Sequence, residues 1–184
     1  MPQLVAVQST AVAALRKLAI DGQLYAILDA CDEPRVPLKV RELGENACSL
    51  YRGSSADDLY AIAPYLARVD SALLEWICAN LWTAPWGIFA STAAPLAVLR
   101  SHFRKFLIVD APNDESWYFR FYDPRVLARF LPTCDAAQLA DFFGPVDTFG
   151  WVDQENYGVT LARREWYDGA SSAAPRITYR KVDR

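Results

Sequence analysis

The chain is 184 residues long, sets 22 Asp and Glu against 19 Lys and Arg, and is 53% hydrophobic with one His and four Cys. That length buries roughly 70% of the surface its unfolded chain exposes, so a core needs neither a disulfide nor a structural metal. A net charge of −3 argues against nucleic acid as a main partner, because neutralising phosphates calls for a basic excess.

Cys31, Cys48, Cys78 and Cys134 stand 17, 30 and 56 residues apart, with no C-x-x-C spacing. They read as reduced thiols acting as small apolar residues, and a zinc site is disfavoured. The apolar run from Leu4 to Ile20 fails as a signal peptide: no basic residue precedes it, Gln8, Ser9 and Thr10 interrupt it, and Arg16 and Lys17 sit on the wrong side. No other stretch is long enough to span a bilayer, so the expected location is the cytoplasm.

In chain order, Ser9 or Thr10 can cap a first helix with Val12, Leu15 and Leu18 on one face and Gly22 at its end. The apolar run Leu24 to Leu28 suits a central strand covered on both faces. From Asp32 to Glu45 the chain turns polar, with Pro34, Pro37 and Gly44, and reads as an irregular surface excursion before a short strand from Cys48 to Tyr51. Pro64 to Val69 is another strand, Ser71 caps a helix carrying Leu73, Leu74, Ile77 and Leu81, and Pro85 stops it.

Trp86 to Ala90 resumes a strand, and Pro95 opens a helix whose inner stripe is Leu96, Leu99 and Phe103, leaving Arg100, Arg104 and Lys105 toward water or a partner. Phe106 to Val109 and Trp117 to Phe121, separated by the loop Ala111 to Glu115, form a hairpin expected to add an antiparallel edge to the sheet. Asp123-Pro124 starts a helix to about Leu131, and Asp135 with Gln138 forms a capping box for a second, ending at Gly144-Pro145. Val146 to Val152 and Tyr157 to Arg163 are the last strands, followed by a small, flexible tail from Gly169 to Pro175. The whole predicts one α/β (α+β) domain with a mixed, partly antiparallel sheet flanked by helices.

Enzymatic constellations are sparse. His102 is the only histidine and lies beside the inner stripe of its helix, while nucleophile elbows, Gly-rich phosphate loops and H-E-x-x-H pairs do not occur. The acidic pairs Asp32-Glu33 and Asp57-Asp58 read as solvated charge, and Asp123 as a helix cap. Residues 100 to 129 hold 6 basic and 4 acidic side chains and are the one net-positive stretch, so Arg100, Arg104, Lys105, Arg120, Arg125 and Arg129 are candidates for an arginine docking patch. Trp76, Trp82, Trp86, Trp117, Trp151 and Trp166 exceed what such a core must contain, and those at element ends, in Trp82-Thr83-Ala84-Pro85-Trp86 and Glu165-Trp166-Tyr167, are placed to anchor a partner.

Six segments in sequence, LYAILDA from Leu24, CSLYRG from Cys48, IAPYLARV from Ile62, WGIFAST from Trp86, LRSHFRKFLIV from Leu99 and FRFYDPRVLARFL from Phe119, resemble the adaptor domain of type VI secretion effector chaperones, the Tap or TEC family. The resemblance implies a non-enzymatic bacterial cytoplasmic adaptor, without cofactor or metal, that binds a toxin effector and loads it onto a VgrG or VgrG-PAAR spike. The partners are then an effector and a spike protein, not nucleic acid or membrane. Arg100, His102, Arg104, Arg120, Tyr122, Asp123 and Arg125 fall in the motif segments and are the expected partner-binding residues, with Trp82 and Trp86 as aromatic anchors.

The adaptor domain is assigned to residues 1–150. Residues 151–184 form a short C-terminal hairpin and tail in place of the longer second lobe of many members. Two other readings stay open: a small hydrolase or transferase using His102 with Asp110 or Asp123, and an immunity protein that blocks a toxin.

Overall fold

A computed structural model of the chain describes residues 10–52, 59–111, 115–166 and 175–182. An interior strand of its main sheet is β1 (Leu24–Asp29), in which all six residues are buried. Alternation along the strand divides them between two cores: Leu24, Ala26 and Leu28 enter one, Tyr25 and Ile27 the other. On the first face lie α1 (Thr10–Ile20), α2 (Arg35–Leu43) and α3 (Ser71–Asn80), contributing Leu15, Val36 and Ile77. On the second lie α4 (Leu96–Phe103), α5 (Pro124–Phe130) and α6 (Ala136–Phe143), contributing Phe103, Leu127 and Phe142.

The remaining strands are β2 (Ala47–Ser49), β3 (Pro64–Arg68), β4 (Gly87–Ser91), β5 (Ile108–Ala111), β6 (Glu115–Tyr118), β7 (Thr148–Val152), β8 (Val159–Trp166) and β9 (Pro175–Val182). Seven of them form one sheet in the order β2-β3-β1-β4-β7-β8-β9, antiparallel at every pairing, so the α+β domain carries no parallel pair among the described residues. Gly87 makes the β1–β4 pairing possible: its φ is +147°, and a Cβ there would stand 2.0 Å from the Ile27 carbonyl oxygen.

Several local expectations are corrected. The polar excursion contains a helix, α2, because Val36 and Val40 lie four residues apart and both reach the core. Pro37 is tolerated there, since the first turn of a helix leaves its N–H groups without intrahelical partners. Asp70 rather than Ser71 caps α3, accepting the Leu73 N–H at 2.8 Å, and that helix ends at Asn80, before Pro85.

The β5–β6 hairpin forms its own two-stranded sheet instead of an edge of the main one. The C-terminal strand β9 was not expected; it pairs with β8 along its whole length, from Val182 opposite Val159 to Pro175 opposite Trp166. Residues 151–166 and 175–182 thus supply part of the same sheet as the preceding chain. The expected tail from Gly169 falls outside the described residues up to position 174, as do Ser9, the Asp57-Asp58 pair, hairpin-loop residues 112–114 and Tyr167.

Candidate functional site: an apolar hairpin beside an arginine-lined groove

Helix α4 and the single 3₁₀ turn after it, Arg104–Phe106, set two arginines one helical turn apart on one face. Both turn back onto backbone. Arg100 donates from Nε to the Ser49 carbonyl at 3.1 Å, and Arg104 donates to the carbonyls of Leu50 at 2.8 Å, Ser49 at 3.3 Å and Tyr51 at 2.5 Å. They clamp the exit of edge strand β2, supplying donors where the ladder ends.

The expectation left them toward water or a partner; here both also hold the chain's own backbone. They remain uncompensated in charge, because among the described residues neither they nor Arg52 pair with a carboxylate. Burial, and then the neighbouring charges of Arg100 and Arg52, hold the Arg104 guanidinium below its ordinary pKa.

The Phe119–Arg125 run folds against the same region. Arg120 forms an ion pair with the buried carboxylate of Asp29 at the end of β1, whose other oxygen accepts the Cys31 N–H at 3.0 Å. That hydrogen bond raises the Arg120 pKa. Tyr122 is buried, which pushes its phenol pKa up, and the nearby Asp29 and Tyr51 push it the same way. Asp123 caps α5, accepting from the Arg125 backbone at 2.9 Å and its guanidinium at 2.6 Å. Burial raises the Asp123 pKa, but the Arg125 hydrogen bonds and charge outweigh it and leave the group below the usual carboxylate range.

His102 is buried between α4 and α6. Its ring packs against Phe103 and Phe106, and Nε2 lies 2.9 Å from the Phe142 carbonyl oxygen. Burial lowers its pKa, so the ring is neutral and Nε2 carries the proton it donates. Trp82 and Trp86, expected at an accessible edge, are only 4% and 3% exposed. The Trp82 indole N–H donates to the Tyr157 carbonyl at 3.0 Å, and Trp86 packs edge-on against Phe89 at 5.0 Å, so both belong to the core. All four cysteines are free thiols, and burial pushes Cys78 up to about 11.

The surface itself is made by the hairpin. Antiparallel register sets Ile108 opposite Tyr118 and Val109 opposite Trp117, so each face of the ribbon carries one apolar pair. All four are exposed: Ile108 at 54%, Val109 at 37%, Trp117 at 57% and Tyr118 at 65%. The base is fixed by buried Leu107, whose carbonyl accepts the Phe119 N–H at 2.9 Å, and by buried Phe121.

Beside the ribbon runs a groove of about 210 Å³, walled by Leu50, Tyr51 and Arg52 on one side and by Leu107, Ile108 and Tyr118 on the other. Arg104 joins the two walls, and the Tyr51 and Tyr118 rings meet edge-on at 6.3 Å. The motif residues Arg100, Arg104 and Tyr122 therefore position the groove, and Arg120 braces Tyr122's segment from below. His102, Arg125, Trp82 and Trp86 do not line it.

Sequence reasoning missed Tyr51, Ile108 and Tyr118. For Ile108 and Tyr118 the signal was present: two consecutive apolar residues on each strand of a short hairpin put apolar side chains on both faces, which a ribbon of two strands cannot bury.

Among the described residues, no group of three or more His, Cys, Asp or Glu is arranged to hold a metal, and no helix is long and apolar enough to cross a membrane. The fold and surface define an α+β domain that holds an exposed apolar ribbon beside a cationic groove. The family model for a domain of unknown function, DUF4123, matches residues 24–141, and the chain belongs to that family. No curated protein matches the chain, and no solved structure does.

Proposed function

We propose that this protein is a cytoplasmic adaptor that binds a toxin effector and loads it onto the VgrG or VgrG-PAAR spike of a bacterial type VI secretion system, acting by binding energy and without bond chemistry. The observation that carries the reading is the exposed ribbon of Ile108, Val109, Trp117 and Tyr118, held on a buried base. Clustered exposed aromatic and aliphatic side chains mark a protein-binding site, and Trp and Tyr flanked by Arg are the composition of interface hot spots. The resemblance of the six segments to effector chaperones supports the nature of the partner, and the family match spans the ribbon.

The surroundings of His102 support a non-catalytic role, since its Nε2 is engaged by a backbone carbonyl and its ring by two phenylalanines. The test is affinity purification of the tagged full chain from its native host. Recovery of a toxin and of a spike component is expected, with loss of effector delivery on deletion of the gene. Recovery of neither protein, or rescue of toxin-treated cells by the chain alone, overturns the adaptor reading, the latter in favour of an immunity protein.

A further inference from the structure

The groove beside the ribbon has a chemistry of its own. One wall ends in Arg52, which is exposed, and Arg104 crosses between the walls with Arg100 behind it. Their nitrogen donors are only partly used: Arg100 spends Nε, and Arg104 spends Nε and Nη2, on carbonyls, while Arg52 makes no hydrogen bond among the described residues. None of the described lining residues is acidic.

The nearby carboxylates among the described residues are placed elsewhere. Asp29 is committed to Arg120, and Asp110 stands one step toward the hairpin tip, opposite Ser116. Three positive charges that have no counter-charge among the described residues, bordering exposed Ile108 and Tyr118, fit an anion attached to an apolar group.

We infer that this groove seats an extended segment of the partner bearing an Asp or Glu carboxylate next to an aromatic or aliphatic side chain, the carboxylate meeting Arg52 and the apolar group lying between Ile108 and Tyr118. The nature of the partner rests on the adaptor reading above; the acidic, apolar chemistry rests on the groove alone. A guanidinium takes a carboxylate through paired N–H donors, which fixes the direction of the segment as well as its charge. A second copy docking groove to groove would set arginine cluster against arginine cluster, an arrangement that like charge opposes. Nucleic acid meets a chain of net charge −3 and a groove with apolar walls, which disfavours it against a peptide.

The experiment uses the full chain and a fluorescein-labelled peptide, Gly-Asp-Trp-Glu-Leu-Asp-Gly, followed by anisotropy. Controls are the same peptide with Lys at each acidic position and a labelled single-stranded oligonucleotide. The acidic peptide is expected to bind at least about tenfold more tightly than the Lys peptide, and to weaken between about 50 and 500 mM salt as screening shortens. Arg52→Glu, Ile108→Ser and Tyr118→Ser are each expected to cost about tenfold or more, with thermal melts confirming that they remain folded. The distant Tyr179→Ser leaves binding unchanged.

Equal binding of the Lys peptide or of the oligonucleotide, indifference to the groove variants, or absence of acidic-peptide binding overturns the inference. The same variants in host purification separate the two claims. Effector captured equally by wild type and groove variants removes the groove and leaves the adaptor. Acidic peptide bound in an Arg52-dependent way by a chain that captures no effector or spike leaves the groove and removes the adaptor.

Discussion

The six residues of β1 lie buried between two layers of helices, whereas the aliphatic and aromatic side chains of β5 and β6 stand in solvent on both faces of a ribbon two strands wide. Both segments are rich in β-branched and aromatic residues, so intrinsic strand preference does not separate them. Their neighbours do. β1 has β3 and β4 on its two edges and helices over both faces, while the ribbon has only itself and an anchored base. An isolated hairpin is marginally stable in water, so the ribbon's order is borrowed from Leu107 and Phe121 below it. Half-exposed, each of its four apolar side chains leaves roughly 1 kcal/mol of burial unrealised, available to a partner that covers it.

Substitutions on the two sides of this contrast sharpen it. The largest expected effect is in the sheet: Gly87→Ala drives a Cβ into the Ile27 carbonyl, where only backbone movement can relieve it. A loss of at least about 4 kcal/mol, or failure to fold, is expected by denaturant unfolding. Next is Phe142→Ala, which opens a hole at the meeting point of Phe106, Phe121, Phe130 and Phe149. It should cost about 3–4 kcal/mol.

A subtler effect comes from His102, whose folded pKa lies below its ordinary 6.5 chiefly through burial, with Lys105 and Arg164 opposing protonation and the Phe142 hydrogen bond and Asp141 favouring it. The unfolded chain binds the proton more tightly, so the stability from this site is complete above about pH 6.5 and is lost as pH falls from there through the lower folded value. His102→Gln should flatten that part of the stability–pH curve measured by denaturant titration.

The smallest effect on stability is on the ribbon, where Val109→Ser and Trp117→Ser are expected to stay within about 0.5 kcal/mol of wild type while weakening effector capture. A ribbon variant that costs as much as Phe142→Ala would erase the contrast between the two regions.

Much of the frame was legible in advance because it is written in local chemistry. The uninterrupted run Leu24 to Leu28 announced a doubly covered strand, Asp123-Pro124 a helix start, and Asp135 with Gln138 a capping box that the structure contains in full. Helix α2 was hidden by Pro34 and Pro37, whose usual meaning is reversed in a first turn, and β9 by a tail whose apolar alternation is diluted by Arg176, Arg180 and Lys181. The arginines of the motif were visible as types. That Arg100 and Arg104 hold the carbonyls of Ser49, Leu50 and Tyr51 follows from contacts more than 50 residues apart in the chain.

By itself, then, the order of residues determined where many of the helices and strands begin, that β1 is covered on both faces, and that His102 sits beside a packed stripe, since caps, periodicity and apolar runs act over a few neighbouring positions. Tertiary structure alone decided that the hairpin leaves the sheet, that Trp82 and Trp86 go inside while Trp117 and Tyr118 stay out, and that Arg52 and Arg104 share a groove. Those outcomes depend on which surfaces compete for the same layer of helix and strand, and a local signal such as the hairpin's paired apolar residues does not decide that competition.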